Sequence, residues 1–413
     1  MPAGLCGQSS GPVTPGLADA IRDTLSRPSP SRGFTLGDAL SVPVELAVLP
    51  VELAVGGLAE AVGWAASLGT YRPAAEAWNA VRAAGFRPSL TTDLGSRSGA
   101  GMVLGWAGLA PLRLETGVSV RGYQRHGIEV VAGRGDWTLD ARLGYRRYTR
   151  EAFWGVGMDA PEEARADFLE DTWAAHASLA RAVHDRWTIT VGGGWEERTV
   201  GAGRDPATPD VPDRYTPDEL PGLGRTRFAV VRAGVGYDGR GWDGLWRRGV
   251  LARIGGELHG GLDGTPADFG AWEAEAEALF PITSHQHLTL RGRGRAVMGG
   301  EGEVPFTRLP ALGGGATLRS YEWGRFRDRT VVAGSVEWRW ELWRDLRERG
   351  RIHALLFLDR AAAAPAFSNL AEARTSVGIG LGGRWLRDVR AAAWMAFGEE
   401  GARLSGFIGA GIP

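Results

Sequence analysis

The densest chemistry-bearing stretch in the sequence runs from Gly313 to Arg329, GGGATLRSYEWGRFRDR, rich in glycine and arginine at once. Glycines beside basic residues can cradle phosphate, but a P-loop needs Gly-Lys-Ser/Thr next, and none follows. Gly378-Ile-Gly380-Leu-Gly-Gly383 satisfies G-x-G-x-x-G on spacing alone. A dinucleotide site needs a helix there, and Arg384-Trp385 leads instead into a further strand pattern, so these glycines read as the inner face of a strand. His285 and His287 form H-x-H with no third ligand in reach, which reads as no metal site. Gly95-Ser-Arg-Ser98-Gly99 has the wrong spacing for a nucleophile elbow. The chain therefore reads as a non-enzyme with no catalytic residue, cofactor or metal.

Two further sets alternate in charge. Glu273, Glu275 and Glu277 lie on one face of AWEAEAEALF, and Arg291, Arg293 and Arg295 on one face of HLTLRGRGRAVMG. On neighbouring antiparallel strands such ladders pair side by side. They read either as a structural ion-pair network in a wet interior or as a charged constriction that selects ions or small solutes.

Such ladders need strands to hold them, and the composition says which kind. The chain has 413 residues, a net charge of −1, 63 Gly and 17 Trp beside 13 Phe and 7 Tyr. The near-zero charge gives no global field for nucleic acid. A single cysteine, Cys6, excludes an internal disulfide framework. Tryptophan and small residues spread along period-two segments suit a membrane barrel, where aromatic girdles mark the interfaces. No apolar run is long and uncharged enough for a spanning helix, because Pro43–Gly69 is broken by Glu45, Glu52, Glu60 and Pro50.

From about Phe86 onward the sequence alternates. In VVAGSVEWRWEL, Val336, Trp338 and Trp340 oppose Ser335, Glu337, Arg339 and Glu341, and Trp272 opposes the Glu273–Glu277 ladder. A fully charged face opposite a simple apolar face is a strand with one wet side. The apolar faces are too rich in Gly and Ala to fill a jigsaw core, whereas lipid requires no jigsaw, so Trp272, Trp338 and Trp340 are expected to face lipid. About sixteen segments are expected, near 87–95, 101–107, 114–124, 126–133, 136–149, 169–181, 186–199, 225–237, 248–260, 269–280, 285–298, 330–341, 351–361, 372–384, 389–397 and 403–411. Long connections follow the fifth, seventh and eleventh, and short turns such as VHDR and TSHQ lie between them. Long loops on one side and short turns on the other are the outer-membrane arrangement. The expected fold is all-β: an antiparallel transmembrane barrel of about sixteen strands over 86–413, preceded by a flexible leader at 1–35 and a short helical periplasmic segment at 36–85.

In that count Gly313–Arg329 lies between the eleventh and twelfth strands. There Leu318-Arg319-Ser320-Tyr321, followed by Arg325-Phe326-Arg327, resembles the inward-folding sixth-loop motif of the bacterial surface antigen family, the BamA/TamA-like barrel-assembly superfamily. Ser320 stands where that motif has glycine. Phe153-Trp154-Gly155-Val156-Gly157, Val336-Glu337-Trp338-Arg339 and Phe357-Leu358-Asp359 resemble further signatures of the family in the same order. The N-terminal stretch is shorter than the client-receiving domains of that family, and the chain ends Gly411-Ile412-Pro413 rather than on an aromatic residue.

The resemblance implies a bacterial outer-membrane location and a role in inserting or translocating outer-membrane components. Its partners would be outer-membrane lipid and either unfolded client proteins or a periplasmic partner. A stand-alone pore or scaffold barrel is the main alternative, and a soluble β-rich binding protein a weaker one. Parity supplies partners for Arg319: Glu337 on one strand and Asp359 on the next share the polar face, so both carboxylates can converge on one guanidinium, with Tyr321 packed on the same wall.

Overall fold

A computed structural model describes residues 86–94, 100–109, 111–243, 246–265, 268–300, 303–344, 350–385 and 389–410, together with Ala83. The expected leader and all but Ala83 of the helical segment lie outside the described residues. The described chain is almost wholly strand. In chain order the long strands are β1 (Phe86–Leu94), β2 (Ala100–Leu109), β3 (Leu112–Ser119), β4 (Gln124–Arg134), β5 (Trp137–Phe153), β6 (Ala166–His184), β7 (Trp187–Ala202) and β8 (Gly224–Asp238). They continue with β9 (Trp246–Gly261), β10 (Phe269–Pro281), β11 (Gln286–Met298), β12 (Thr330–Arg344), β13 (Arg351–Ala364), β14 (Arg374–Trp385), β15 (Val389–Gly398) and β16 (Gly401–Ala410).

Each strand pairs antiparallel with the next, and β1 pairs with β16 from Leu90↔Ala410 to Leu94↔Gly406, so the pairings run all the way round. Alternation decides which face is which. On β13, Leu356 and Leu358 are 50% and 45% exposed, while the intervening Phe357 and Asp359 are buried. The same holds on β14, where Val377, Ile379 and Leu381 are exposed and Ser376 is buried. An apolar surface that continuous is costly in water and is what lipid covers.

One expectation about the strands needs correction. The alternation places the third segment at 114–124, but β3 ends at Ser119. There the chain turns back, with Gly122 in the left-handed region at φ 80° and the Ser119 N–H donating to the Tyr123 carbonyl at 3.0 Å. Alternation in sequence continues across a turn that only Gly122 makes easy.

Connections after odd-numbered strands all emerge at one end, and the three long ones are 154–165, 203–223 and 299–329. Strands β5, β6 and β7, of 17, 19 and 16 residues, are longer than the roughly 9–11 that cross a bilayer. At their long-loop ends Phe153, Phe168, Val200, Val211, Leu220 and Phe306 form an apolar cap. That cap includes a residue of the loop after β11, so the loop reaches the β5–β7 wall as well as its own.

Candidate functional site

The loop between β11 and β12 is folded tightly on itself. Gly313 and Gly314 take φ 112° and 72°, and the Thr317 hydroxyl bridges Gly313, accepting from its N–H at 2.8 Å and donating to its carbonyl at 3.0 Å. The Gly314 N–H donates to the Tyr321 carbonyl at 2.9 Å. The glycines therefore serve the turn, and the tip presents Leu318, Arg319, Ser320 and Tyr321, all buried. Leu318 and Tyr321 join Met158, Leu312, Phe326 and Val331 in an apolar cluster that holds the tip against the inner face of β12 and β13. Burial raises the pKa of the Tyr321 hydroxyl.

Arg319 is brought to both candidate carboxylates. Its Nη2 lies 2.9 Å from Glu337 Oε2 and its Nε 3.3 Å from Asp359 Oδ2, with side-chain exposures of 8%, 5% and 1% for the three residues. Ser335 ties the group together, accepting from Arg319 Nη2 at 3.2 Å and donating to Asp359 Oδ1 at 2.7 Å. The guanidinium also stacks 3.9 Å from the centroid of Phe357. Phe357 can lie flat because the next strand offers Gly378 beneath it: a Cβ there would overlap the Phe357 ring. Gly380 and Gly382 similarly leave room for Trp394 and His353. Gly378, Gly380 and Gly382 thus form a smooth inner-wall floor, whereas the last glycine of the G-x-G-x-x-G spacing, Gly383, shares the outer parity of Ile379 and Leu381.

The loop is held on the opposite wall too, by residues that sequence reading passed over. Arg308 pairs with Glu196 on β7, and Glu196 also contacts His176 Nε2 at 3.2 Å. Arg198 Nη1 donates to the Thr307 carbonyl at 3.1 Å, and Phe306 packs edge-on to Phe153 and Phe168. Burial pushes the Arg308 pKa down to about 10, which leaves it charged at neutral pH. Arg325 reaches Glu400 in the last turn at 2.7 Å and the Ala160 carbonyl at 2.8 Å. The signal for these anchors was present only as buried-looking charges (Glu196, Arg308), whose partners lie over a hundred residues away.

The charge ladders are in register, with Glu273 opposite Arg295, Glu275 opposite Arg293 and Glu277 opposite Arg291. Side-by-side pairing holds at one rung only among the described residues, Glu277 to Arg291 at 3.0 Å. Glu275 turns the other way, to Arg253 on β9 at 3.1 Å, because Arg253 is its register partner on that side. Of the three tryptophans, Trp272 and Trp338 are partly exposed, but Trp340 is only 8% exposed. It sits between Gln286 and Ala354 on the neighbouring strands, beside the bulge at Glu341/Trp343, and is buried there rather than open to lipid.

A family model described as the Omp85 superfamily domain matches residues 132–385, well over half of the chain. The chain belongs to the Omp85 superfamily. This Omp85 barrel is a bacterial outer-membrane protein, and its fold is that of the solved barrels it is similar to. Against BamA from Haemophilus ducreyi lacking POTRA domains 1–3, identity is 16% and the TM-score 0.59, over 79% of this chain and 70% of that one. Against CdiB from Escherichia coli the figures are 14% and 0.56, over 79% and 63%. Against CdiB from Acinetobacter baumannii they are 12% and 0.52, over 79% and 60%. The chain thus spans less than two thirds of either CdiB. No curated protein matches it.

Proposed function

We propose that this Omp85 barrel inserts or translocates polypeptide at the outer membrane, with the loop after β11 as the element that holds the lumen in its working shape. The observation that carries the reading is the buried Arg319–Glu337–Asp359 cluster at the loop tip. Burying three charges costs several kcal/mol per ion before their attraction repays it. A passive pore gains nothing from that arrangement, since the loop takes up lumen space that a solute would use. A barrel that handles polypeptide needs the loop fixed in one place while the surrounding wall responds to a client. On this reading Leu318, Arg319, Ser320 and Tyr321 are the anchoring residues, and Glu337 and Asp359 their wall partners.

The test is reconstitution of the full chain in phospholipid vesicles, followed by addition of a urea-unfolded outer-membrane barrel as client. Faster client folding than in empty vesicles, lost with Arg319→Ala, is the expected outcome. A steady large conductance in planar bilayers with no effect on client folding would replace this reading with that of a stand-alone pore.

A further inference from the structure

Beneath the loop lies a chamber of about 1110 Å³, bounded by β5–β11, the start of β12 and the loop itself. On its β8 and β9 wall Gly234, Gly236 and Gly255 leave open space beside Asp238, Leu251 and Arg253. Thr188 and Thr190 of β7 add hydroxyls on one flank, and Arg293 and Arg295 of β11 stand on the other.

The ion pairs of this wall do not use up its cations. Glu277 is held by both Arg240 and Arg291, at 3.0 Å each. Glu275 is taken by Arg253, and Glu257 lies 3.9 Å from Arg232 and 3.2 Å from His259. Arg293 and Arg295 face Glu273, with Glu257 near Arg295 as well, and neither arginine forms an ion pair among the described residues. Charge left over in a partly enclosed space with low-dielectric walls attracts counter-ions more strongly than the same charge on an open surface. Guanidinium forks favour oxyanions over halides, because two parallel N–H groups match two oxygens.

We propose that this chamber is a binding site for phosphate-bearing anions, held between Arg293 and Arg295, with the open space over Gly234, Gly236 and Gly255 leaving room for the rest of the ligand. The site is independent of whether the barrel handles polypeptide. It makes the half-matched ladder a ligand site rather than an incomplete structural network.

The probe is inorganic pyrophosphate, titrated calorimetrically into the full chain in a non-ionic detergent at low salt. Saturable binding is expected, weakened by roughly tenfold or more in Arg293→Gln/Arg295→Gln, as charge-assisted hydrogen bonds are lost. Glu273→Gln keeps both arginines and removes the competing carboxylate, so it should bind several-fold more tightly, and it serves as the readout if the double variant fails to fold. Heat-modifiable gel migration reports folding of each variant. Absence of saturable heat, or binding unchanged in Glu273→Gln and the folded double variant, overturns the proposal.

Discussion

Ser320 at the loop tip and Gly398 at the end of β15 occupy a shared space: a Cβ on Gly398 would stand 3.0 Å from Ser320 Cβ and overlap its hydroxyl. The Ser320 hydroxyl lies 2.5 Å from the Ser376 hydroxyl on β14, and its N–H donates to that oxygen at 3.2 Å. The Ser320 side chain is therefore accommodated by a glycine on the wall.

Gly398→Ala should accordingly destabilise the barrel by ~1–3 kcal/mol, the usual cost of overpacking. Ser320→Ala alone should cost only about 0.5–1.5 kcal/mol, the net worth of a hydrogen bond. Combined, they should cost less than their sum, because the second removes the hydroxyl, the nearest of the atoms that obstruct the first. Urea midpoints of the four proteins in detergent measure that coupling, and strict additivity would show that the two sites do not share space.

Arg319→Ala leaves Asp359 buried without its cation, while Glu337 keeps Arg339 and Arg291, and breaking a buried pair in this way costs about 3–5 kcal/mol. Arg319→Lys keeps the charge but cannot reach Glu337, Asp359 and Ser335 with one rigid fork. Both variants should expose the 299–329 loop to protease, with Lys intermediate. A digestion pattern identical to that of the parent would remove the anchoring role.

Gly378→Ala should act on Arg319 without touching it. A methyl there displaces the Phe357 ring and removes the surface on which the guanidinium lies. A loss of ~1–3 kcal/mol is expected, with loop proteolysis rising alongside it. Phe357→Leu, smaller and without a π face, should loosen the loop but relieve Gly378→Ala in the double variant. If Gly378→Ala lowers stability with the loop still protected, the floor serves only the wall.

Ala276 is exposed on the lipid face of β10, flanked by Ala252 and Gly292 on its neighbours. Ala276→Arg should cost up to ~2–4 kcal/mol if it lies near the bilayer midplane, and should leave detergent-solubilised stability nearly unchanged. Equal folded fractions of parent and variant in vesicles would contradict the assigned face.

The strands were legible because a membrane barrel writes its two environments onto alternate residues, as in Glu273–Glu277 against Trp272–Ala278. The convergence of Glu337 and Asp359 was legible for the same reason, since parity and strand adjacency are local properties. The destination of Arg308 was not. Its partner Glu196 is fixed by where a 31-residue connection lands, and no periodicity records that. The ladder shows the limit from another side. Register placed each Glu opposite an Arg, but every inner-face residue has two neighbouring strands, and Arg253 competes for Glu275 from the far one. Nor could sequence alone reveal that Ser320 and Gly398, almost eighty residues apart, divide one small volume.

The loop after β11 touches β7 through Arg308 and β12–β14 through Arg319 and Ser320. In mechanical language it is a chord drawn across a hoop. A hoop with a chord no longer deforms evenly, because the points where the chord is pinned resist moving apart. With Phe306 also packed on β5 and β6 and Arg325 on the β15–β16 turn, the pins leave two free arcs, β8–β11 and β1–β4. Compliance is thereby concentrated in those arcs, the second of which adjoins the place where the first and last strands meet, and the buried charges at Arg308 and Arg319 set how much load the chord bears before they give.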